Sequence, residues 1–355
     1  MKLYGADLRP HMYEAFVLVN VVLAQLFLRQ RGLAGPLNSL TAAMSGHFAN
    51  MILLLSIGVG VRIVISAVAG RGRSYLRQIA RWTWWVEAAR LVVMGALAMY
   101  VYTSLKILLP LAGGENADEV LWAADYALLL GHSPTVLMLE LFGHPRVLQS
   151  IDWSYEILFR STMYTVIGAA LSSPSQRLRV ALVGAKSAMW ITGAWLYYVF
   201  PSLGPAYRFP ELWDPIAANL PRTHLLLKAL FANFLVVTGE QTGSVNVMLG
   251  IAAFPSLHVA LHTLVALWGR RFSPAIGIVG IAGAIVIFVG SVVTGWHYFI
   301  DSLAGLVIGA VFFAVFFSTY HLGRWLKLFR AVRRGRTQPR LRQPFKIIER
   351  AFGVH

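Results

Sequence analysis

Eight long apolar runs constrain the fold of this 355-residue chain more than any other feature. A helix needs about 20 apolar residues to cross a bilayer, and most of the runs approach that length. Only 13% of the residues are charged, whereas soluble domains carry about 25%. The sequence therefore predicts an all-α polytopic membrane bundle with about eight transmembrane helices. The runs lie at 12–29, 48–69, 87–110, 157–172, 180–200, 256–269, 275–293 and 297–319.

Two further stretches are too short or too polar to span a bilayer. Residues 115–156 mix carboxylates with short apolar segments, and residues 223–238 mix basic side chains with leucine and phenylalanine. Both patterns are typical of helices that lie at the membrane interface or re-enter the membrane. The carboxylates of the first stretch are interpreted as a solvated loop: Glu115, Asp118, Glu119 and Asp125.

The formal net charge of +16 is distributed unevenly. Lys and Arg concentrate in alternate loops, for example at Arg71, Arg73, Arg270 and Arg271, and in the segment 321–355 after the last run. Because cytoplasmic segments of membrane proteins are enriched in these residues, we expect both termini in the cytoplasm. For the basic tail, an anionic lipid surface is then the expected partner rather than nucleic acid.

The runs and polar segments divide the chain into four regions. Residues 1–112 hold the N-terminal transmembrane helices, and residues 113–156 form an extracytoplasmic interfacial segment. Residues 157–320 form a core of about six helices, and the basic cytoplasmic tail 321–355 follows. We expect an integral protein of a bacterial plasma membrane. Since the sequence has no cysteine, disulfides, thiolate chemistry and cysteine-based metal sites are excluded.

Two short strings near the C-terminal end place histidines beside apolar runs. The first is Phe-Pro-Ser-Leu-His at 254–258, and the second is Gly-Trp-His-Tyr-Phe-Ile-Asp at 295–301. Ionisable groups at membrane depth are costly, which makes them candidates for function. His297 and Asp301 are four residues apart, so on a helix they would share one face and the carboxylate could fix the imidazole tautomer.

Together the two strings suit phosphoryl transfer. His297 can attack phosphorus, and His258 can protonate the leaving oxygen. Pro255 favours a helix start at Ser256, where free backbone N–H groups and the serine hydroxyl would face an anion. Each string alone has a simpler reading: a buried His–Asp pair that bridges helices, or a helix cap with an interfacial histidine.

His258 and His262 also form an i, i+4 pair, which is one half of some metal sites. No glutamate follows His258, and no third ligand lies nearby in the sequence. We therefore predict no metal and no other cofactor, and we interpret His262 as a buried side chain that forms hydrogen bonds.

The order Phe-Pro-Ser-Leu-His, then Gly-x-His-Tyr-x-x-Asp, then Leu-Ala-Gly resembles the type 2 phosphatidic acid phosphatase superfamily. Within it, the motifs are most similar to those of the inositol phosphorylceramide synthase-like membrane phosphotransferases. The resemblance covers residues 180–320. It implies that His297 is the nucleophile that forms a phosphohistidine, that His258 is the general acid, and that Asp301 orients His297.

The departures from the usual superfamily pattern concern the groups that bind phosphate. Leu257 replaces a glycine, Gly290 and Ser291 replace a Ser-Arg pair, and the usual phosphate-holding cations are missing from their expected places. This pattern is closer to the sphingolipid-synthase branch than to the lipid phosphatases. A transferred phosphoryl group needs charge compensation, and Arg208 is the expected substitute, with an interface anchor as its alternative role. The other predicted phosphate-binding residues are Ser256, Tyr207 and Ser291.

The predicted function is an integral membrane enzyme that moves a phospho-headgroup, inositol phosphate being one candidate, from a phospholipid donor to a lipid alcohol. The alternative is a lipid phosphate phosphatase, in which water resolves the phosphohistidine. A transporter with buried titratable residues is the rival from another class, and it predicts inverted repeats and helices interrupted near mid-membrane. A non-catalytic scaffold is the third option. The segments 204–208, 254–258 and 295–297 instead cluster at span ends on the predicted extracytoplasmic side, which favours an enzyme.

Overall fold

The computed structural model describes residues 2–3, 6–7, 11–33, 37–112 and 116–333, with side chains described for 11–33, 43–112 and 116–318. Glu115 and most of the predicted basic tail lie outside the described residues.

Two-residue strands, β1 (Lys2–Leu3) and β2 (Ala6–Asp7), pair antiparallel ahead of the helices. The helices are α1 (Met12–Gln30), α2 (Leu37–Val68), α3 (Gly72–Ile79), α4 (Trp82–Leu108), α5 (Asp118–Leu128), α6 (Pro134–Phe142), α7 (Pro145–Leu171), α8 (Gln176–Val199), α9 (Pro205–Arg208), α10 (Pro210–Trp213), α11 (Pro221–Val237), α12 (Leu257–Phe272), α13 (Pro274–Val293) and α14 (Phe299–Arg333).

This architecture confirms the predicted all-α polytopic bundle. Within the described part of the chain, five stretches of helix are long and apolar enough to cross a membrane: Met12–Gln30, Ala43–Val68, Trp82–Leu111, Pro274–Val293 and Phe299–Ser318. The other three predicted spans correspond to α7, α8 and α12. These three are shorter or less apolar because they carry the polar side chains of the bundle interior, such as Asp152 on α7 and Lys186 on α8.

The helices pack as two connected groups around buried apolar side chains. In the first, α4 contacts α1, α2 and α8, and α2 also contacts α7. In the second, α12 lies between α13 and α14, and α14 packs against α8. Because α8 belongs to both groups, it joins the N-terminal helices to the two histidine-bearing segments.

Two helices begin more than ten residues earlier than the sequence predicts. The structure starts α7 at Pro145 rather than at 157, and α2 at Leu37 rather than at 48. The N-terminal part of α7 buries Leu148 and the polar Asp152 in the bundle. Because it contains such polar residues, a search for apolar runs does not detect it. The predicted boundary between residues 156 and 157 therefore falls inside one continuous helix.

Close packing joins the starts of α12 and α14. Gly305 on α14 lies against the carbonyl oxygen of Ser256, and a Cβ at Gly305 would collide with that oxygen. Nearby, the backbone N–H of Ser256 donates to the backbone carbonyl of Asp301 over 3.0 Å. These contacts fix the first histidine string against the second.

The interpretation of the acidic stretch as a solvated loop is wrong for two of its residues. Asp118 and Asp125 are both fully buried. Asp118 accepts hydrogen bonds from the backbone N–H groups of Leu203 and Gly204, each over 2.9 Å, and from the Tyr298 hydroxyl over 2.8 Å. A buried carboxylate is stable only when donors replace its water, and the protein supplies those donors here.

Two more buried carboxylates accept from helix starts. Asp125 accepts from the N–H groups of Phe299 and Ile300 over 2.9 and 2.7 Å, which caps α14. Asp152 on α7 accepts from the backbone N–H of Thr223 over 2.9 Å and from its hydroxyl over 2.6 Å, which caps α11. Because the N-terminal N–H groups of a helix have no partner within the helix, these carboxylates fix where α11 and α14 begin.

The Asp125 carboxyl makes stability depend on pH. Burial raises its pKa from 3.8 to about 6, although its two N–H donors oppose the shift. The folded state thus holds this proton more tightly than the unfolded state, so the contribution of Asp125 to stability falls as pH rises from about 4 to 6 and then levels off. Asp125→Asn should remove that part of the pH dependence of thermal unfolding in detergent. The exposed Glu211→Gln serves as control, and parallel profiles for Asp125→Asn and wild type would contradict the prediction.

Candidate active site

The two histidines of the sequence strings lie side by side. His258 is the second residue of α12, and His297 lies in the short loop between α13 and α14. Nε2 of His297 is 3.4 Å from Nδ1 of His258, and the two rings meet edge to face with centroids 5.6 Å apart. The structure thus brings together residues that are 39 positions apart in the sequence.

A backbone carbonyl fixes the tautomer of His297. Its Nδ1 lies 2.7 Å from the carbonyl oxygen of Ala253. Because a carbonyl oxygen only accepts hydrogen bonds, Nδ1 carries the proton and Nε2 presents its lone pair toward His258. Burial lowers the pKa of His297 to about 3, and the nearby positive charge of Lys106 acts in the same direction against the opposing effect of the Ala253 carbonyl. The imidazole is therefore neutral at physiological pH, as a nucleophile must be.

Asp301 contacts His297 less directly than the sequence predicts. Its Oδ2 lies 3.6 Å from Nδ1 of His297 and accepts a hydrogen bond of 2.9 Å from the backbone N–H of Tyr298. The reason is that His297 precedes α14 instead of lying on it, so its ring turns toward Ala253. Asp301 is fully buried and holds the chain that leads from His297 into α14.

Two aromatic side chains on α7 surround His258. The Tyr155 hydroxyl lies 2.9 Å from Nδ1 of His258, and the Phe159 ring is centred 4.1 Å from the imidazole. Tyr155 can orient the ring that is predicted to donate the proton. Sequence reasoning missed it because no motif joins a tyrosine to a histidine that lies 103 residues away.

The predicted serines occupy different places in the site. Ser256 is the N-cap of α12, and its Oγ accepts from the backbone N–H of Val259 over 3.4 Å, which leaves its hydroxyl proton available. Ser291 is buried on α13, and its Oγ donates to a carbonyl one turn earlier. The carbonyl oxygen of Ser291 accepts from the backbone N–H of His297 over 3.1 Å, so this serine helps to fix the backbone position of the histidine.

Leu257, which departs from the superfamily pattern, packs away from the histidine pair. It is buried against α8, where Gly193 leaves room for it, because a Cβ at Gly193 would lie 2.6 Å from the leucine side chain. The small residue on α8 thus accommodates the larger one on α12.

Three loops converge beside the histidine pair. The backbone N–H of Ala253 donates to the carbonyl of Ser202 over 3.0 Å, and the N–H of Ala206 donates to the carbonyl of Gly295 over 3.1 Å. Gly204 adopts a φ of +106°, and a Cβ there would lie 2.9 Å from the carbonyl oxygen of Trp296. A side chain at this position would therefore be strained and would separate two of the loops.

Arg208 and Tyr207 lie at the periphery of these loops. The Arg208 guanidinium forms an ion pair with Glu119, and 43% of its side chain is exposed. The Tyr207 hydroxyl donates to the carbonyl of Leu227 on α11 over 3.0 Å. Neither side chain is brought to the histidine pair in this arrangement, and their role in phosphate binding stays a prediction.

Lys106 was missed by the sequence analysis, although it lies near the site. It is in the last turn of α4, and its positive charge acts on both imidazoles. A lone lysine near the C-terminal end of the run 87–110, on the same predicted side of the membrane as the two histidine strings, was the available signal.

The described residues include no group of three or more histidines and carboxylates that could hold a metal ion. The Nδ1 atom of His262 instead lies 2.9 Å from the carbonyl of His258, one turn earlier on α12.

Comparison with known proteins assigns the chain to a family. The family model described as the PAP2 superfamily matches residues 119–315, a region that contains both histidine strings and α5 to α13. Neither the curated proteins nor the solved structures include a match. The matched region covers more than half of the chain, and the chain therefore belongs to the PAP2 superfamily, whose members are phosphatases or phosphotransferases.

Proposed function

We propose that this chain is a membrane lipid phosphotransferase that works through a phosphohistidine on Nε2 of His297. Membership of the PAP2 superfamily supports an enzyme that acts on lipid phosphates rather than a transporter. The observation that carries the proposal is the pairing of a neutral His297, whose Nδ1 proton is held by the Ala253 carbonyl, with His258 at 3.4 Å.

In the first step, Nε2 of His297 attacks phosphorus and a P–N bond forms. The bond between phosphorus and the leaving oxygen breaks, and His258, which enters the step as the imidazolium, gives that oxygen a proton and becomes neutral. Nitrogen atoms 3.4 Å apart leave no room for a phosphoryl group between them, and the Nε2 lone pair points toward His258, so the two rings must separate when the substrate enters. The Tyr155 hydroxyl, which contacts the same Nδ1 atom of His258 that faces His297, holds the acid in place during the step.

In the second step, His258 takes the proton from an acceptor hydroxyl. The acceptor oxygen attacks phosphorus, the P–N bond breaks, and His297 is regenerated with its lone pair. A lipid alcohol as acceptor makes the enzyme a transferase of a phospho-headgroup, for example inositol phosphate. Water as acceptor makes it a lipid phosphate phosphatase, the second candidate.

The departures in sequence support one branch of the superfamily over the others. Leu257 and the pair Gly290–Ser291 are similar to the sphingolipid-synthase branch, which favours a lipid alcohol as acceptor. The donor and the acceptor lipid would both lie in the bilayer, which suits a site at the N-terminal ends of α12 and α14.

One product analysis tests the proposal. Purified protein is incubated with phospholipids and lipid phosphates labelled in the headgroup phosphate, with and without ceramide or diacylglycerol. A labelled lipid that appears only with the added alcohol supports the transferase, and labelled inorganic phosphate in both reactions supports the phosphatase. No product from any donor would contradict both.

The site is also proposed to face away from the cytoplasm, because of the Lys and Arg bias of the loops. Single cysteines can report this in a chain that has none. Thr242→Cys and Ser74→Cys replace exposed hydroxyl residues before α12 and in α3. A membrane-impermeant thiol reagent applied to intact cells should label Thr242→Cys and spare Ser74→Cys until the cells are opened. The reverse pattern would overturn the orientation.

A further inference from the structure

The region that the family model matches begins at residue 119, so α4 lies outside it. Lys106 nevertheless borders the loop that holds the nucleophile. A Cβ at Gly250 would lie 3.0 Å from Cγ of Lys106 and 3.2 Å from its carbonyl carbon, so this loop packs directly on α4. Three residues further along, the carbonyl of Ala253 holds Nδ1 of His297.

The ammonium of Lys106 has aromatic neighbours and no anion. Its Nζ lies 5.6 Å from the ring centroid of Tyr102 and 5.8 Å from that of Tyr197. No carboxylate among the described side chains forms an ion pair with it. A half-buried cation near the end of an apolar helix is costly without a counter-charge, although aromatic faces offset part of that cost. An anion that arrives with the substrate would supply the missing charge.

The other candidate cation has a different environment. Arg208 is already paired with Glu119, and its charge acts on Tyr298 and Asp118 rather than on the two histidines. Exposed ion pairs of this kind contribute little and are screened by salt. Among the cations with described side chains, Lys106 is the one whose charge acts on both His258 and His297.

We infer that Lys106 binds the phosphate group that His297 attacks, and that α4 thereby supplies the active site with a cation that no other described segment brings to the two histidines. This inference rests on the proposed function. The ammonium would contact a non-bridging phosphate oxygen and stabilise the charge that those oxygens carry during transfer. The N-terminal helices then contribute to phosphate binding as well as to membrane anchoring.

The absence of cysteine from the sequence permits a reversible test of the charge itself. Lys106→Cys should lower kcat/KM for a lipid phosphate roughly 100-fold, the effect of losing one electrostatic donor at a transferring group. Treatment with 2-aminoethyl methanethiosulfonate attaches an ammonium at residue 106 and should restore most of the loss. The 2-hydroxyethyl reagent attaches a neutral group of similar size and should restore none of it.

Equilibrium binding of radiolabelled inorganic phosphate gives a readout that does not need turnover. Binding should weaken in Lys106→Cys and recover with the aminoethyl reagent. Lys186→Met is the matched control, since this lysine is buried on neighbouring α8 with its ammonium 5.0 Å from the Trp190 ring. The control should bind phosphate as wild type does. Thermal unfolding confirms that each variant is folded, and Lys106→Met replaces Lys106→Cys if the latter is not.

The outcomes separate the inference from the proposed function. Normal turnover and phosphate binding in Lys106→Cys, or equal recovery with both reagents, overturns the role of Lys106 and leaves the histidine mechanism intact. If the wild type binds phosphate through Lys106 but transfers none from any lipid, the proposed function is overturned, whereas the role of Lys106 in binding phosphate stands. A wild type that binds no phosphate overturns the inference.

Discussion

His297→Asn is expected to abolish turnover while the protein remains folded. The asparagine amide can still donate to the Ala253 carbonyl, which accepts from His297 over 2.7 Å, so the loop keeps its anchor. What disappears is the lone pair of Nε2, and without it no P–N bond can form. Loss of a nucleophile costs about 10⁶-fold where it has been measured in isolation, and we expect at least a 10⁴-fold loss here.

The control for this substitution is a second buried histidine. His47→Gln keeps a hydrogen-bonding group near the Thr103 hydroxyl, which His47 on α2 contacts over 2.9 Å. Its turnover should stay within a few-fold of wild type. Rapid quenching of wild type should also trap labelled phosphate in an acid-labile, base-stable linkage, and His297→Asn should trap none. Near-normal turnover, or trapped label, in folded His297→Asn would disprove that His297 is the nucleophile.

His258→Ala is expected to lose activity by an amount that depends on the leaving group. A general acid contributes about 10²–10⁴-fold when the departing oxygen is a poor leaving group. The alkoxide of a lipid alcohol is such a group, whereas p-nitrophenolate departs without a proton. In His258→Ala, the turnover rate of a lipid phosphate should therefore fall far more than the rate at which p-nitrophenyl phosphate releases p-nitrophenolate in the first step.

Tyr155→Phe provides a graded comparison for the same step. It removes the hydroxyl that lies 2.9 Å from Nδ1 of His258 and keeps the ring. The rates of Tyr155→Phe should fall less than those of His258→Ala. They should again fall more on the lipid phosphate than on p-nitrophenyl phosphate. An equal loss on both substrates in His258→Ala would show that the residue shapes the site instead of donating a proton.

Much of the fold and the histidine pair could be predicted because their signals are local. Apolar runs give membrane helices directly, and a short string such as residues 254–258 carries both a helix cap and a histidine. The N-terminal part of α7 was not predicted, since Asp152 and its polar neighbours make that turn resemble a soluble segment. Its helix forms because tertiary packing supplies partners for those groups.

The remaining parts of the site depend on partners that are remote in sequence. The tautomer of His297 is held by a backbone carbonyl, which has no signature in the sequence. Tyr155 and Lys106 approach the histidines from helices that come long before them in the chain. An unpaired carboxylate in a polar stretch looks solvated until its donors are known, which is why the burial of Asp118 was not predicted.

The buried aspartates have a consequence for how the chain is made. Asp118 is synthesised 85 residues before the Leu203 N–H that it accepts from, and Asp125 is synthesised 174 residues before Phe299. Until those partners are inserted, both carboxylates must remain hydrated at the membrane surface, since burying them alone would be costly. The loops beside the two histidines therefore close only after the start of α14 has been made. A chain still being synthesised before that point lacks the arrangement on which the proposed phosphoryl transfer depends.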